Sequence, residues 1–157
     1  AANLPVMVSV DAFSACEVEG ALRSARATTI SIVPGEIEGL ENATLAQASA
    51  AWRAFLKHVI VGSPLPEIGE LSVNREGDVY RVSVRVSGNG AVVRNVNLWY
   101  ASAEGVWKSA RMETEDGETF TCEVPVDDGG ESMFASVWFT TGGSDGLLSS
   151  PPVCGSP

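Results

Sequence analysis

Basic residues, histidine and cysteine are all scarce in this sequence of 157 residues. Only 10 lysines and arginines stand against 20 aspartates and glutamates, which gives a net charge of −10. A surface this acidic repels phosphate backbones and anionic lipids, so nucleic acid is not expected as a partner. No apolar run approaches the roughly 20 residues that a membrane-spanning helix needs, so membrane insertion is not expected either.

Chemical motifs are scarce as well. The sequence holds no H-E-x-x-H zinc motif, no P-loop and no G-x-G-x-x-G pattern after a strand. His58, the single histidine, would need an orienting acid and a nucleophile beside it to act as a base, so a surface or packing role is favoured. The three cysteines form no C-x-x-C pair, which disfavours a structural zinc site. We predict no cofactor.

The cysteines allow two interpretations of equal weight. Cys122 and Cys154 form a disulfide if the compartment is oxidising, or all three cysteines are unpaired thiols. The first interpretation fits a secreted, periplasmic or lumenal protein. Cys16 lies at a predicted helix N-terminus, which stabilises a thiolate, but no histidine is placed to pair with it, so a nucleophilic role is disfavoured.

A long amphipathic helix is the central feature of the first half of the chain. Its apolar residues recur at steps of three and four and form one stripe: Leu45, Ala48, Trp52, Phe55, Leu56, Val59 and Ile60. Asn42 is predicted as the N-cap, and Gly62, followed by Pro64, as the residue that ends the helix. We expect four residues of the stripe to be buried: Trp52, Phe55, Leu56 and Val59. The neighbouring cations Arg53 and Lys57 are expected to be exposed.

Two strand patterns precede this helix. Leu4–Val10 and Thr28–Val33 flank Ser14-Ala15-Cys16-Glu17, which has the form of a helix capping box. Strand, helix and strand within about thirty residues predict a βαβ unit with two adjacent parallel strands. A sheet of only two parallel strands leaves an unpaired edge, which favours addition of a strand from another chain.

Beyond the linker Ser63–Ile68, the pattern changes to a period of two. Val79–Val86 alternates apolar and polar side chains, and Glu115-Asp116-Gly117 is a strong hairpin signal. About seven short strands are typical of a β-sandwich of immunoglobulin or fibronectin type. The predicted fold class is therefore α/β plus all-β, with a βαβα segment over residues 1–66 and an antiparallel sandwich over residues 67–157.

Two groups of side chains in the β region are candidate binding residues. The acidic loop of Asp127, Asp128 and Glu131 is a candidate calcium site, although most such loops are solvated turns and no metal is predicted. The aromatic residues of the sandwich can line a sugar-binding face, but they more often form the core: Trp99, Trp107, Phe134, Trp138 and Phe139.

The order of these motifs resembles a known fold. Roughly residues 4–66 resemble the last quarter of the α/β-hydrolase fold. The order of features in this segment is a strand, an aspartate, a helix, a second strand, the motif Pro34-Gly35-x-x-x-Gly39 and a second helix. The pattern from Trp52 to Pro66 is similar to the closing helix of hydrolases that carry a C-terminal β domain. Asn97–Ala101 is similar to the sandwich appended to PhoPQ-activated pathogenicity-related proteins.

This resemblance implies roles for two carboxylates. Asp11, directly after the first strand, matches the acid of the catalytic triad, and Glu38 falls at the histidine position. A carboxylate at that position cannot deprotonate a serine as imidazole does, and it faces Asp11 with like charge. The nucleophile elbow would lie upstream. The resemblance therefore implies ancestry more than activity.

These observations favour a binding function over catalysis. The predicted function is a non-catalytic, hydrolase-related binding or assembly module that contacts a protein partner or a second copy through residues 1–62. One alternative is the C-terminal chain of a serine hydrolase, an esterase or peptidase, which a separate N-terminal chain completes. The other alternative is a sandwich that binds carbohydrate or protein.

Overall fold

A computed structural model describes residues 6–11, 16–17, 28–33, 41–102, 104–130 and 132–155 of the chain. A pair of short strands and one helix come first: β1 (Val6–Asp11), β2 (Thr28–Val33) and α1 (Glu41–Val61). Strands follow to the end of the described chain: β3 (Glu67–Ile68), β4 (Ser72–Glu76), β5 (Val79–Ser87), β6 (Val92–Ala101), β7 (Trp107–Arg111), β8 (Glu113–Thr114), β9 (Thr119–Pro125), β10 (Ser132–Thr141), β11 (Ser144–Ser149) and β12 (Val153–Cys154).

Two antiparallel sheets of five strands each form a β-sandwich. The first sheet has the order β11-β10-β6-β7, with β12 beside β10. The second has the order β3-β5-β9-β8, with β4 beside β5. Alternation with a period of two places one face of each sheet inward, and one apolar cluster joins residues of both sheets, as the sequence predicts. Its members from the central strands are Tyr80, Val82, Val84, Val86, Val96, Leu98, Tyr100, Met133, Ala135 and Val137.

The predicted parallel pairing at the start of the chain is confirmed. Strand β1 runs parallel to β2, in a register that pairs Val6 with Thr28 and Asp11 with Val33. Of the predicted helix between them, only Cys16 and Glu17 belong to the described residues, and they lie in a turn. The rest of that prediction lies outside the described residues.

The predicted fold class, α/β plus all-β with a hydrolase-like layer, is wrong. The described residues contain one α-helix and are mostly β, and their two large sheets are antiparallel. The physical reason lies in how the parallel pair is covered. Ile30 and Ile32 of β2 pack against Phe134, Trp99 and Trp107 on the outer face of the first sheet. The pair therefore packs onto the sandwich, and no separate α/β layer is formed within the described residues.

Helix α1 ends as the sequence predicts but begins at Glu41, before the predicted N-cap. Gly62 has a φ of 71°, which a residue without a Cβ adopts freely, and its N–H donates to the carbonyl of His58 at 3.0 Å. Because the helix starts at Glu41, Asn42 lies inside it and does not cap it, so the predicted N-cap is wrong. The domain boundary at residues 66 and 67 stays a prediction.

The side of α1 that packs on the sandwich consists of three alanines and one phenylalanine. Ala50, Ala51, Ala54 and Phe55 are buried, and Ala54 contacts Phe139 and Leu148. The helix approaches β11 so closely that a Cβ on Gly146 would lie 2.8 Å from the Ala54 Cβ and 2.4 Å from the Phe139 ring. Only small side chains permit such an approach.

The predicted burial of the helix is therefore only partly right. Phe55 is buried and Arg53 is exposed, as predicted, but Lys57 is half-buried. The predictions for Trp52, Leu56 and Val59 are wrong, because these side chains are 45%, 48% and 46% exposed. The predicted stripe is therefore divided: Phe55 packs with the alanines, and Trp52, Leu56, Val59 and Ile60 lie on the exposed side.

Candidate functional site

An exposed apolar stripe on α1 is the first candidate site. Trp52, Leu56, Val59 and Ile60 recur at helical spacing, so they share one face, and Ile60 is 74% exposed. We call these four residues the helix stripe. Trp52 leans on the buried Phe55 in an edge-to-face contact with ring centroids 6.2 Å apart, which fixes the indole on the surface.

Polar contacts hold α1 in the orientation that exposes the stripe. Lys57 Nζ donates to the carbonyl of Gly142 at 3.2 Å, in the turn between β10 and β11, and also to Ser144 Oγ at the start of β11. His58 Nδ1 donates to the carbonyl of Ser63 at 2.9 Å, directly after the helix. His58 therefore has the surface role that the sequence favours. The two Lys57 bonds attach α1 to the sandwich and so resist rotation of the helix about its own axis.

The charge around the stripe differs from that of the whole chain. Residues 41–62 carry Arg53 and Lys57 against Glu41, a net charge of +1, whereas the chain carries −10. Like-charge repulsion between two copies is therefore expected to be weaker at this surface than between segments that carry the net negative charge of the chain.

The outer edge of β1 is a second feature of this half of the chain. Among the described residues, β1 pairs with β2 on one side and with no strand on the other. The far side of β2 is closed by a side chain, because Ser149 Oγ hydrogen-bonds both backbone groups of Ile32. Unpaired strand edges are common sites of contact between chains.

The two predicted catalytic residues lie mostly beyond what the structure describes. Asp11 is the last residue of β1, opposite Val33, and its backbone alone is described. Glu38 lies outside the described residues. Their roles as triad acid and as the residue at the histidine position stay predictions.

The candidate calcium loop forms a short 3₁₀ turn over Val126–Asp128. Asp128 Oδ1 accepts a hydrogen bond from Lys108 Nζ at 3.2 Å, so this carboxylate has a partner within the protein. Glu131 lies outside the described residues. Within the part of the chain that the structure describes, no three His, Cys, Asp or Glu residues are grouped as metal ligands would be.

The cysteines pair differently from the predicted pairing. Cys16 and Cys154 form a disulfide with their Cα atoms 5.7 Å apart, so the predicted bridge between Cys122 and Cys154 is wrong. A nucleophilic Cys16 is excluded in this state because its sulfur is bonded. Cys122 is a free thiol whose pKa is raised to about 11 by burial and by the charge of Glu123. Such a thiol is a poor nucleophile at neutral pH.

A short motif that sequence reasoning passed over is Gly142-Gly143-Ser144-Asp145-Gly146, which fits G-x-S-x-G. A nucleophile elbow requires its serine on a sharp turn from a strand into a helix. Here Ser144 opens β11 after a tight turn from the antiparallel strand β10. The motif is therefore a β-hairpin turn, and Ser144 anchors Lys57.

Most of the aromatic residues proposed for a sugar-binding face belong to the interior. Trp99, Trp107 and Phe134 pack under the parallel pair of β1 and β2. The ring centroids of Trp107 and Phe134 are 5.4 Å apart. Phe139 is fully buried. Trp138 is half-buried and lines an open groove on the sheet.

No protein-family model matches this chain, and no curated protein is significantly similar to it. Among solved structures, the chain is similar to a DUF3823 family protein from Bacteroides ovatus, at 12% identity over 58% of this chain and 55% of that one, with a TM-score of 0.41. It is also similar to wild-type OgpA from Akkermansia muciniphila, at 18% identity over 94% of this chain and 44% of that one, with a TM-score of 0.35.

A second OgpA structure, catalytically inactive and in complex with an O-glycopeptide substrate, aligns at 19% identity over 57% of this chain and 28% of that one, with a TM-score of 0.34. The chain thus spans about half or less of the length of each of these proteins. No described helix is long and apolar enough to cross a bilayer.

Proposed function

We propose that this chain is a non-catalytic assembly module that pairs with a second copy of itself through the helix stripe. The observation that carries the proposal is the exposure of Trp52, Leu56, Val59 and Ile60 on a helix whose opposite side is packed. Large apolar side chains grouped on one face of a soluble protein mark an interaction surface.

The helix stripe has the form that a symmetric helix pair requires. A two-fold axis brings the same patch of both copies together, so the patch must complement itself. Side chains at steps of three and four form ridges that fit the grooves of an identical helix. Complete burial of one leucine or isoleucine side chain stabilises by roughly 1.5–3 kcal/mol. Leu56 is already about half buried, whereas Ile60 is 74% exposed and has more to gain. We expect a weak dimer, formed at roughly 100 μM protein.

Charge favours a second copy as the occupant. The stripe lies on a segment of net charge +1, while residues 63–157 hold 6 basic against 14 acidic residues, a net charge of −8. Two copies that meet through α1 keep their acidic sandwiches apart, whereas other pairings bring them together. The disulfide between Cys16 and Cys154 supports an oxidising compartment for this module, such as the periplasm, a lumen or the extracellular space, because disulfides persist there.

The test is light scattering coupled to size-exclusion chromatography. The native chain should approach twice the 16.4 kDa of the monomer as its concentration rises. Ile60→Glu and Leu56→Glu place a charge on the stripe and should return the mass to that of the monomer. Val106→Glu is the matched control, because Val106 is 57% exposed but lies in the loop between β6 and β7 rather than on α1, and it should leave the dimer unchanged.

Three outcomes would overturn the proposal. A native chain that stays monomeric at the highest soluble concentration would indicate that another protein, or nothing, covers the stripe. A dimer that persists in both stripe variants would place the contact elsewhere, for instance at the edge of β1. Equal loss in the Val106→Glu control would show that the added charge acts through solubility rather than through a contact.

A further inference from the structure

A groove on the outer face of the first sheet lies apart from the helix stripe. It has a volume of about 440 Å³, within the range of small-molecule sites, and its lining combines aromatic and charged side chains: Arg94, Asn95, Arg111, Trp138, Phe139 and Asp145. The lining residues come from β6, β7, β10 and β11, so rigid strands position them.

A β-bulge creates the polar end of this groove. Trp138 pairs with Asn95, but the next residue of β10, Phe139, pairs with Val93, so Arg94 has no partner across the ladder. The extra residue lets Arg94 and Asn95 reach the same face, although neighbours in a regular strand point to opposite faces. Bulges of this kind are common beside functional sites, because they redirect a side chain.

Hydrogen bonds fix the polar groups of the groove in place. Arg94 Nε donates to Thr140 Oγ1 at 2.9 Å, and that hydroxyl donates to Asp145 Oδ1 at 3.2 Å. Asn95 Oδ1 is buried and has no hydrogen-bond partner among the described residues. A buried acceptor without a partner is unusual and marks this end of the groove as a place where a hydrogen-bond donor is missing.

The two arginines give the groove a charge opposite to that of the protein. Arg94 forms no ion pair within the described residues. The Arg111 side chain is 69% exposed, and its one ion pair among these residues is a long contact of 3.6 Å between its Nε and Glu113 Oε1. With Asp145, the groove carries +1 on a chain of −10. Guanidinium groups with free donors are suited to carboxylates, which they bind with two parallel hydrogen bonds.

We propose that this groove binds a saccharide that carries a carboxylate, such as a uronic acid. The sugar ring lies against Trp138, since the C–H face of a sugar is apolar and gains from contact with an aromatic ring. Its carboxylate is held by Arg111 and Arg94, while Asp145 and Asn95 bond the hydroxyl groups.

The position of the groove favours a sugar over an acidic peptide. An extended peptide binds by adding a strand to a sheet edge, where backbone groups are free. This groove lies across β10 and β6, both of which are paired on two sides, so their backbone groups are already used. Donors and acceptors arranged around one aromatic side chain match the adjacent hydroxyl groups of a sugar ring.

Isothermal titration calorimetry of the full chain tests the proposal with two matched disaccharides. Cellobiouronic acid carries the carboxylate, and cellobiose replaces it with a neutral hydroxymethyl group. The acid should bind about tenfold more tightly at low salt, as a charge-assisted pair predicts, and added salt should narrow the difference. Arg111→Gln should remove that preference. Arg85→Gln is the control, since Arg85 is equally exposed on the other sheet and pairs with Glu118.

Several results would overturn the assignment. Neither disaccharide binding at roughly 10 mM would show that the groove holds no sugar of this class. Equal affinities for the acid and for cellobiose, or equal losses in Arg85→Gln and Arg111→Gln, would remove the role of the two arginines. Tighter binding of triglutamate than of cellobiouronic acid would assign the groove to acidic peptides instead. Failure of the helix stripe to dimerise would leave this test unaffected.

Discussion

The hydroxyl of Ser149 forms two hydrogen bonds with one residue, Ile32. Ser149 Oγ accepts from the backbone N–H of Ile32 at 3.0 Å and donates to its carbonyl at 3.3 Å, in a buried site. Both groups lie on the side of β2 that faces away from β1, where a further strand would normally pair. A single serine side chain therefore closes a strand edge and attaches the parallel pair to the sandwich.

Ser149→Ala should destabilise the protein by about 2–4 kcal/mol, because it leaves a buried N–H and a buried carbonyl without partners. The free energy of unfolding in urea measures the loss. Ser109→Ala, on the exposed surface of β7, is the matched control and should change stability by less than about 0.5 kcal/mol. Equal effects of the two substitutions would show that the Ser149 bonds do not hold β2.

The disulfide should contribute strongly to stability. Cys16 and Cys154 are separated by 138 residues, and closing a loop of that length in the unfolded chain is worth about 5 kcal/mol in the chain-entropy treatment. Cys16→Ser with Cys154→Ser should therefore lower the free energy of unfolding by about 3–5 kcal/mol. Cys122→Ser, at the free thiol, is the control and should cost about 1 kcal/mol or less.

Mass spectrometry gives an independent check of the cysteine pairing. The unreduced chain, unfolded in denaturant with iodoacetamide, should gain one carbamidomethyl group, at Cys122. Labels on Cys16 and Cys154 without reductant would contradict the bridge.

The hairpin turn between β8 and β9 should lose stability in acid. Asp116 Oδ1 accepts hydrogen bonds from the backbone N–H groups of Thr119 at 2.6 Å and Glu118 at 2.8 Å, which hold the pKa of Asp116 well below its usual range. Because the folded pKa is depressed, the stabilisation is present above the unfolded value of about 3.9 and is lost as pH falls below it.

An NMR titration of the Asp116 carboxyl carbon measures this directly. The group should remain ionised at about pH 3, where an ordinary aspartate is mostly protonated. Asp116→Asn should reduce stability at neutral pH, and its difference from the native chain should shrink as pH falls. A difference that does not change with pH would show that the carboxylate charge does not stabilise the turn.

The sequence was sufficient wherever local chemistry determines structure. The alternation in Val79–Val86 predicted strand β5, and Glu115-Asp116-Gly117 predicted the turn that Asp116 now holds. Gly62 ended the helix as predicted, because positive φ is a local requirement. The parallel pairing of the first two strands was also predicted correctly.

Features set by distant contacts could not be predicted in this way. Cys154 pairs with Cys16, 138 residues earlier in the chain. The spacing of cysteines in the sequence does not indicate that the fold brings these two positions together. The fold class was wrong because Ile30 and Ile32 pack on Phe134 of the sandwich. The groove at Arg94 depends on a bulge, and the register shift between β10 and β6 is invisible in either strand alone.

The two sides of α1 give the last prediction. Phe55→Ala should cost about 3–5 kcal/mol, because Phe55 is 8% exposed and its loss leaves a cavity. Trp52→Ala should cost about 1 kcal/mol or less, although tryptophan is larger, because nearly half of its surface is already in water. Urea titrations of both variants measure these two losses in the free energy of unfolding. The protein concentration is kept too low for dimers to form, so that only the stability of the monomer is compared. A Trp52→Ala loss as large as that of Phe55→Ala would show that the stripe belongs to the core.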